Sequence, residues 1–136
     1  MKTKSSLELG DVQKILGAST ATAVQKGWAV SIAIVDDGGH LLALQRLDGA
    51  APISAYIATE KARTAALGRR ESGAYEKMIN EGRYSFLSVP QLNALLEGGA
   101  PIVVDGQVAG AVGVSGVKST EDLQVVKAGI ESLGSQ

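Results

Sequence analysis

The chain predicts an α+β layered fold in which two antiparallel hairpins pack against helices, and three observations carry that reading. Turn chemistry joins apolar runs into adjacent strand pairs at two places, Asp36-Asp37-Gly38-Gly39 and Asp105-Gly106. Helix-period segments stand before, between and after these pairs, giving the order α-β-β-α-(α-α)-β-β-α with no internal repeat. Within the strands, bulky and small side chains alternate, so the sheet has two unlike faces. A dinucleotide-binding β-α-β fold is excluded, because it would alternate single strands with crossovers.

The elements follow in order. From Leu9 to Lys26, Val12, Ile15, Leu16, Ser19 and Ala23 recur at three- and four-residue steps, and Gly27 stands where a helix turns left-handed at its end. Trp28 to Val35 is an apolar run rich in β-branched residues, and after the Asp-Gly turn Leu41 to Leu47 completes the first hairpin. A loop over Asp48-Gly49-Ala50-Ala51 precedes Pro52, which suits the first turn of a helix running through Ile57, Lys61, Thr64 and Gly68. Its end at Arg69-Arg70 places cations where the helix dipole favours them.

Glu71 to Leu96 is less periodic. It predicts a short helix over Ala74 to Asn80, an irregular connection through Tyr84-Ser85-Phe86, and another short helix after Pro90. Gly98-Gly99-Ala100-Pro101 then leads into Ile102-Val103-Val104, the Asp105-Gly106 turn and the run Gln107 to Ser115. The last helix opens at Ser119 or Thr120 as cap, with Leu123, Val126, Ile130 and Leu133 on one face.

Alternation assigns Val30, Ile32, Ile34, Val108, Val112 and Val114 to a bulky face, and Ala29, Ser31, Ala33, Ala109, Ala111, Gly113 and Ser115 to a small one. The second helix carries Ala55, Ala58, Ala62, Ala65 and Ala66, side chains short enough to lie close on that small face. These two surfaces are expected to touch.

Length and composition bound the function. The 136 residues suit one domain, 1–136, around one core. A formal charge of −1 leaves no basic excess for nucleic acid. With no Cys, disulfides and thiolate sites are excluded, and a single His, His40, disfavours a zinc site, which would need three carboxylates beside it. The charged N-terminal residues have no apolar segment behind them, and no run approaches the roughly 18 apolar residues of a membrane helix. The expectation is a cytoplasmic protein with neither nucleic acid nor membrane as partner.

Four places could carry chemistry. Lys61 and Thr64 share one stripe of the second helix. They read either as a snorkelling lysine with a threonine bonded back to the Glu60 carbonyl, or as an anion-binding wall. Arg46 and Asp48 close the first hairpin at the mouth of the same helix, as a surface ion pair or as part of that wall. His40 is a solvent-facing turn residue or a metal ligand. Gly110 to Gly116, with Ser115, reads as backbone packed close against a neighbour or as an anion cradle, although it matches neither G-x-G-x-x-G nor G-K-[ST]. No Ser-His-acid order is present.

Four segments taken together resemble the GlcG/HbpS family, also called haem-degrading or PduO C-terminal-like. They are Ile34-Val35-Asp36-Asp37-Gly38-Gly39-His40-Leu41 through Gln45-Arg46-Leu47-Asp48-Gly49-Ala50; Lys61-Ala62-Arg63-Thr64-Ala65; Gly98-Gly99-Ala100-Pro101-Ile102; and Gly113-Val114-Ser115-Gly116 with Asp122 beyond. The match spans nearly the whole chain. The resemblance implies a profilin-like fold, an antiparallel sheet of four or five strands flanked by helices, and a homo-oligomer. It implies haem as a cofactor, with the iron near Thr64 (His40 the lesser alternative) and Lys61 and Arg46 toward the propionates. The first helix holds no His, unlike that of some haem-binding relatives.

The leading expectation is therefore a protein that binds a small molecule, haem or a corrinoid-like macrocycle, at a subunit boundary. Its ligand-binding residues would be Lys61, Thr64, Arg46, Asp48, Gly98, Gly99 and Ser115. The alternatives are an enzyme acting on a small carboxylate or aldehyde, with Lys61 and Arg46 holding the anion and Asp48 or Asp122 moving a proton, and a structural oligomeric accessory protein.

Overall fold

The computed structural model describes residues 1–134. Its elements are α1 (Leu9–Lys26), β1 (Ser31–Asp36), β2 (Leu41–Arg46), α2 (Ile53–Gly68), α3 (Ser72–Asn80), a 3-10 helix (Tyr84–Ser88), β3 (Gly99–Val104), β4 (Gln107–Ser115) and α4 (Ser119–Glu131). The four strands make one antiparallel sheet in the order β2-β1-β4-β3. The hairpins thus meet through β1 and β4, in register from Ser31 opposite Ser115 to Asp36 opposite Gly110. The α+β class is as the sequence predicts, with four strands.

The two sheet faces build two cores. On the bulky face Val30, Ile32, Ile34, Ile102, Val112 and Val114 pack with Val12, Ile15 and Ala23 of α1 and with Val125 and Val126 of α4. Full burial of each such Val or Ile contributes about 1.5–3 kcal/mol. On the small face Ala33, Val35 and Ala111 meet Ala58, Ala62, Ala65 and Ala66 of α2. The expected contact is there, and Gly113 shows how close it is: a Cβ at that position would run into the Ala58 carbonyl and the Ala62 amide.

Several local expectations are corrected. Val108 does not share a face with Val112 and Val114. A bulge sets Ile102 opposite Gly110 but Val103 opposite Val108, which reverses the parity of the strand from that point. No helix follows Pro90; the short helical element lies before it, over Tyr84–Ser88, where an irregular connection was expected. After Pro90 the backbone goes left-handed at Gln91 (φ 68°) and Ala94 (φ 48°), and the Asn93 carbonyl is taken by the Thr64 hydroxyl. A helix cannot propagate through such a segment.

At α2, Pro52 stands one residue ahead of the helix as its cap position, and Arg69 (φ 57°) ends it. α3 starts at Ser72, two residues before the expected Ala74. At α4 neither Ser119 nor Thr120 is the cap. Lys118 holds that position, and the Ser119 hydroxyl donates instead to Glu97 (2.9 Å). Carboxylates of the first turn satisfy the leading amides: Glu121 accepts from Lys118 N–H (3.3 Å) and Asp122 from Val117 N–H (3.2 Å).

Candidate functional site

α2 has an inner and an outer side, and the sequence-predicted residues divide between them. On the inner side Lys61 reaches along the end of β4 to α4. Its Nζ donates to the Val114 carbonyl at 3.0 Å and to Asp122 Oδ2 at 3.2 Å. The two side chains are 4% and 3% exposed. Lys61 is therefore not a snorkelling residue with its ammonium in water; it is one half of a buried ion pair joining α2, β4 and α4. Burial pushes the Asp122 carboxyl above the ordinary carboxylate range, and the attraction of Lys61 only partly opposes this.

Gly98 makes room for the pair. It sits at φ +126°, and a Cβ there would lie 2.6 Å from the Lys61 ammonium. At Gly99 a Cβ would meet the Lys61 carbonyl. Thr64 is fully buried and donates to the Asn93 carbonyl at 2.7 Å, across the chain rather than back to Glu60. Ser115 is buried at the end of β4. Neither Lys61 nor Thr64 lines any of the five main cavities. The recess into which they were expected to project is filled by Asp122, Gly98 and the segment around Asn93.

The outer side is open. β2 is an edge strand, and its Leu44 and Arg46 pair with Ala33 and Ser31, so both share the sheet face that α2 covers. Between β2 and α2 lies a groove of about 480 Å³ lined by Leu44, Arg46, Pro52, Ala55, Tyr56, Thr59 and Glu60. Its walls are mostly apolar. Glu60 is neutralised by Arg63 (2.9 and 3.1 Å), and Thr59 donates to the Ala55 carbonyl (2.8 Å). Arg46 makes no side-chain hydrogen bond or ion pair among the described residues, with Asp48 or otherwise. The ion pair between Arg46 and Asp48 is thus not formed.

Arg46 and Lys61, grouped in sequence as one anion-binding wall, lie on opposite sides of α2. His40 remains a turn residue, its side chain 81% exposed and 3.1 Å from Asp36. Although partial burial works against it, the backbone N–H groups of His40 and Gly38 hold the Asp36 carboxyl below its ordinary range. Among the described residues no three His, Asp or Glu are placed to hold a metal ion, and no helix is long and apolar enough to cross a membrane.

The other large cavities differ in chemistry. One of about 670 Å³ beside α1, lined by Leu16, Thr20, Val24 and three glutamines, holds no charged group. One of about 700 Å³ beside α3 is bordered by Glu71, Glu76, Glu81 and Glu97, with Lys77. Sequence reasoning passed over Tyr56, a ring 73% exposed on the outer side. A signal existed: Pro52, Tyr56, Thr59 and Glu60 follow helical spacing opposite the Ala58-Ala62-Ala65 stripe.

The family model described as "Haem degrading protein HbpS-like" matches residues 7–131. Protein GlcG of Escherichia coli K12 is 58% identical over 115 residues, 85% of this chain and of that protein. The crystal structure of HbpS is similar with a TM-score of 0.89 and 30% identity, covering 98% of this chain and 94% of that one; HbpS of Streptomyces reticuli, solved as a double mutant, gives the same TM-score. A structure described as a PduOC complex with heme has a TM-score of 0.86 at 22% identity, with 96% of each chain covered, and shows the same fold.

Proposed function

The chain belongs to the HbpS-like family, and on that premise we propose that it binds haem, or a related macrocycle that carries carboxylates, in the groove between β2 and α2. The observation that carries this reading is Arg46, a guanidinium with no hydrogen-bond or ion-pair partner among the described residues, in the lining of a mostly apolar groove. An amphipathic ring with propionate groups needs that combination: a flat apolar wall for the ring and a cation for the carboxylate. Leu44, Pro52 and Ala55 supply the wall, and Tyr56 lines the same groove. The charge of Glu60 is met by Arg63, so it does not oppose an incoming carboxylate.

Bound haem supplies redox and oxygen chemistry through its iron; the chain's part is to hold and orient it. Thr64 fits the iron poorly, because its hydroxyl is fully buried and committed to Asn93. His40 fits no better, since it lies outside the groove and is bonded to Asp36. The groove is open on its outer side, and Leu41, Leu42 and Leu44 of the edge strand are 42–50% exposed. A second copy of the chain covering this edge would complete the enclosure and remove an edge that invites pairing.

Titration of the purified protein with hemin tests the reading. A saturable change in visible absorbance is expected, weakened at least tenfold by Arg46→Glu and unaltered by His40→Ala. No saturable change, or one equally tight in Arg46→Glu, overturns it.

A further inference from the structure

Resting on the haem reading of the same groove, we propose that Tyr56 is the iron ligand and that it binds as a phenolate. Haem iron is held by His, Cys, Met or Tyr. The chain has no Cys, and its one His belongs to the Asp36 turn. Tyr75 is 5% exposed and packed against Phe86, with ring centres 5.6 Å apart, while the Arg70 guanidinium lies over its ring. Tyr84 and Met78 line none of the main cavities. Tyr56 does, and it shares its groove with Arg46, which has no partner among the described residues.

Three features suit Tyr56 to the role. Its side chain is 73% exposed and its hydroxyl has no partner among the described residues, so coordination breaks nothing in the fold. It stands one helical turn from Pro52 and one from Glu60, between two other lining residues of the groove on the same helix face. The cation for a carboxylate is beside it: Arg46 of β2 lines the same groove, and Glu60 of α2, which also lines it, is paired with Arg63. A ferric centre takes a phenol as its anion, because the charge of the metal displaces the proton of the group that binds it.

The step balances simply. The Tyr56 O–H gives its proton to water, a bond forms from the phenolate oxygen to ferric iron, and a water molecule leaves the iron. The iron stays ferric and one proton is released, so binding tightens as pH rises. An anionic oxygen ligand also favours ferric over ferrous iron, so reduction weakens binding. The groove would therefore take the oxidised cofactor selectively.

Wild-type protein, Tyr56→Phe, Tyr75→Phe and Tyr84→Phe are each titrated with hemin and followed by visible absorption and resonance Raman spectroscopy. The wild type is expected to show high-spin ferric haem with tyrosinate ring modes enhanced on excitation into the phenolate-to-iron band. Tyr56→Phe, which removes only the oxygen, should lose those modes and bind at least tenfold more weakly. The other two variants should keep both. Saturable hemin binding with the same spectrum and midpoint in Tyr56→Phe overturns the ligand assignment while leaving the haem reading standing. Absence of saturable binding in the wild type overturns the haem reading, and this assignment with it.

Discussion

Lys61 and Arg46 are cations on neighbouring elements, and the fold treats them in opposite ways. Lys61 points inward from α2, is sealed from water, and spends its charge on Asp122 and the Val114 carbonyl. Arg46 points outward from the edge strand, is exposed, and has no partner among the described residues. A motif that contains a charge does not say which side of a helix will carry it. The sealed pair specifies how α2 meets the start of α4, whereas the open cation is available to a ligand. The contrast also holds for hydroxyls: Thr64 is committed to Asn93, and the Tyr56 phenol has no partner among the described residues.

The sharpest way to break the comparison is to remove one half of the sealed pair. Lys61→Met leaves the Asp122 carboxylate buried without its counter-ion and is expected to cost about 3–5 kcal/mol. Lys61→Met with Asp122→Asn removes both charges while the Asn oxygen can still accept from Val117 N–H, so the double variant should regain at least 1 kcal/mol of that loss. Urea unfolding of both singles and the double closes the cycle. Losses that simply add would mean that the pair does not act as a unit, and that Lys61 is held by something other than Asp122.

A smaller effect sharpens the same point through pH. Burial raises the Asp122 pKa above its ordinary 3.8 despite Lys61. The folded state then holds that proton over a range in which the unfolded chain has released it. The stability this contributes is fully present below about pH 3.8 and is lost as pH rises through the folded value. Asp36 and Asp37, whose folded carboxyls lie below their ordinary range, contribute in the opposite sense. They are common to the wild type and the Lys61→Met, Asp122→Asn double variant, and cancel in the difference. The stability of the double variant relative to the wild type should therefore increase with pH from about 4 and then level off. A difference that shrinks with rising pH would show the Lys61 attraction outweighing desolvation.

Much of the fold was legible because its signals are local. α1 begins and ends where its spacing and Gly27 indicate, and β4 spans the same residues, Gln107–Ser115, that the turn before it implies. What escaped was set by partners far along the chain. The stretch after Pro90 is shaped by the bond from Thr64, 29 residues away, and the face of Val108 by a bulge that only pairing with β3 creates. The Lys61 and Asp122 pair joins positions 61 residues apart. Both residues could be picked out singly, yet no spacing rule could join them. Half of the open groove was visible in Arg46 at the end of its strand; the spacing of Tyr56 with Pro52, Thr59 and Glu60 marks an outer helix face, but only the packing of β2 beside α2 makes that face the wall of a groove.

The smallest expected effect lies on the open side and completes the comparison. Without ligand, Arg46→Glu and Tyr56→Phe remove groups that make no side-chain hydrogen bond, ion pair or ring contact among the described residues, so neither leaves a buried polar atom unsatisfied. Exposed substitutions of that kind change stability by no more than about 0.5 kcal/mol. Urea unfolding of the ligand-free variants should match the wild type within that margin, while their hemin midpoints shift at least tenfold. A loss of 2 kcal/mol or more in either ligand-free variant would mean that the groove is filled by protein in solution, with Arg46 or Tyr56 bound into a contact between copies. The distinction between a residue that holds the fold and one that waits for a ligand would then fail on the side where it is now clearest.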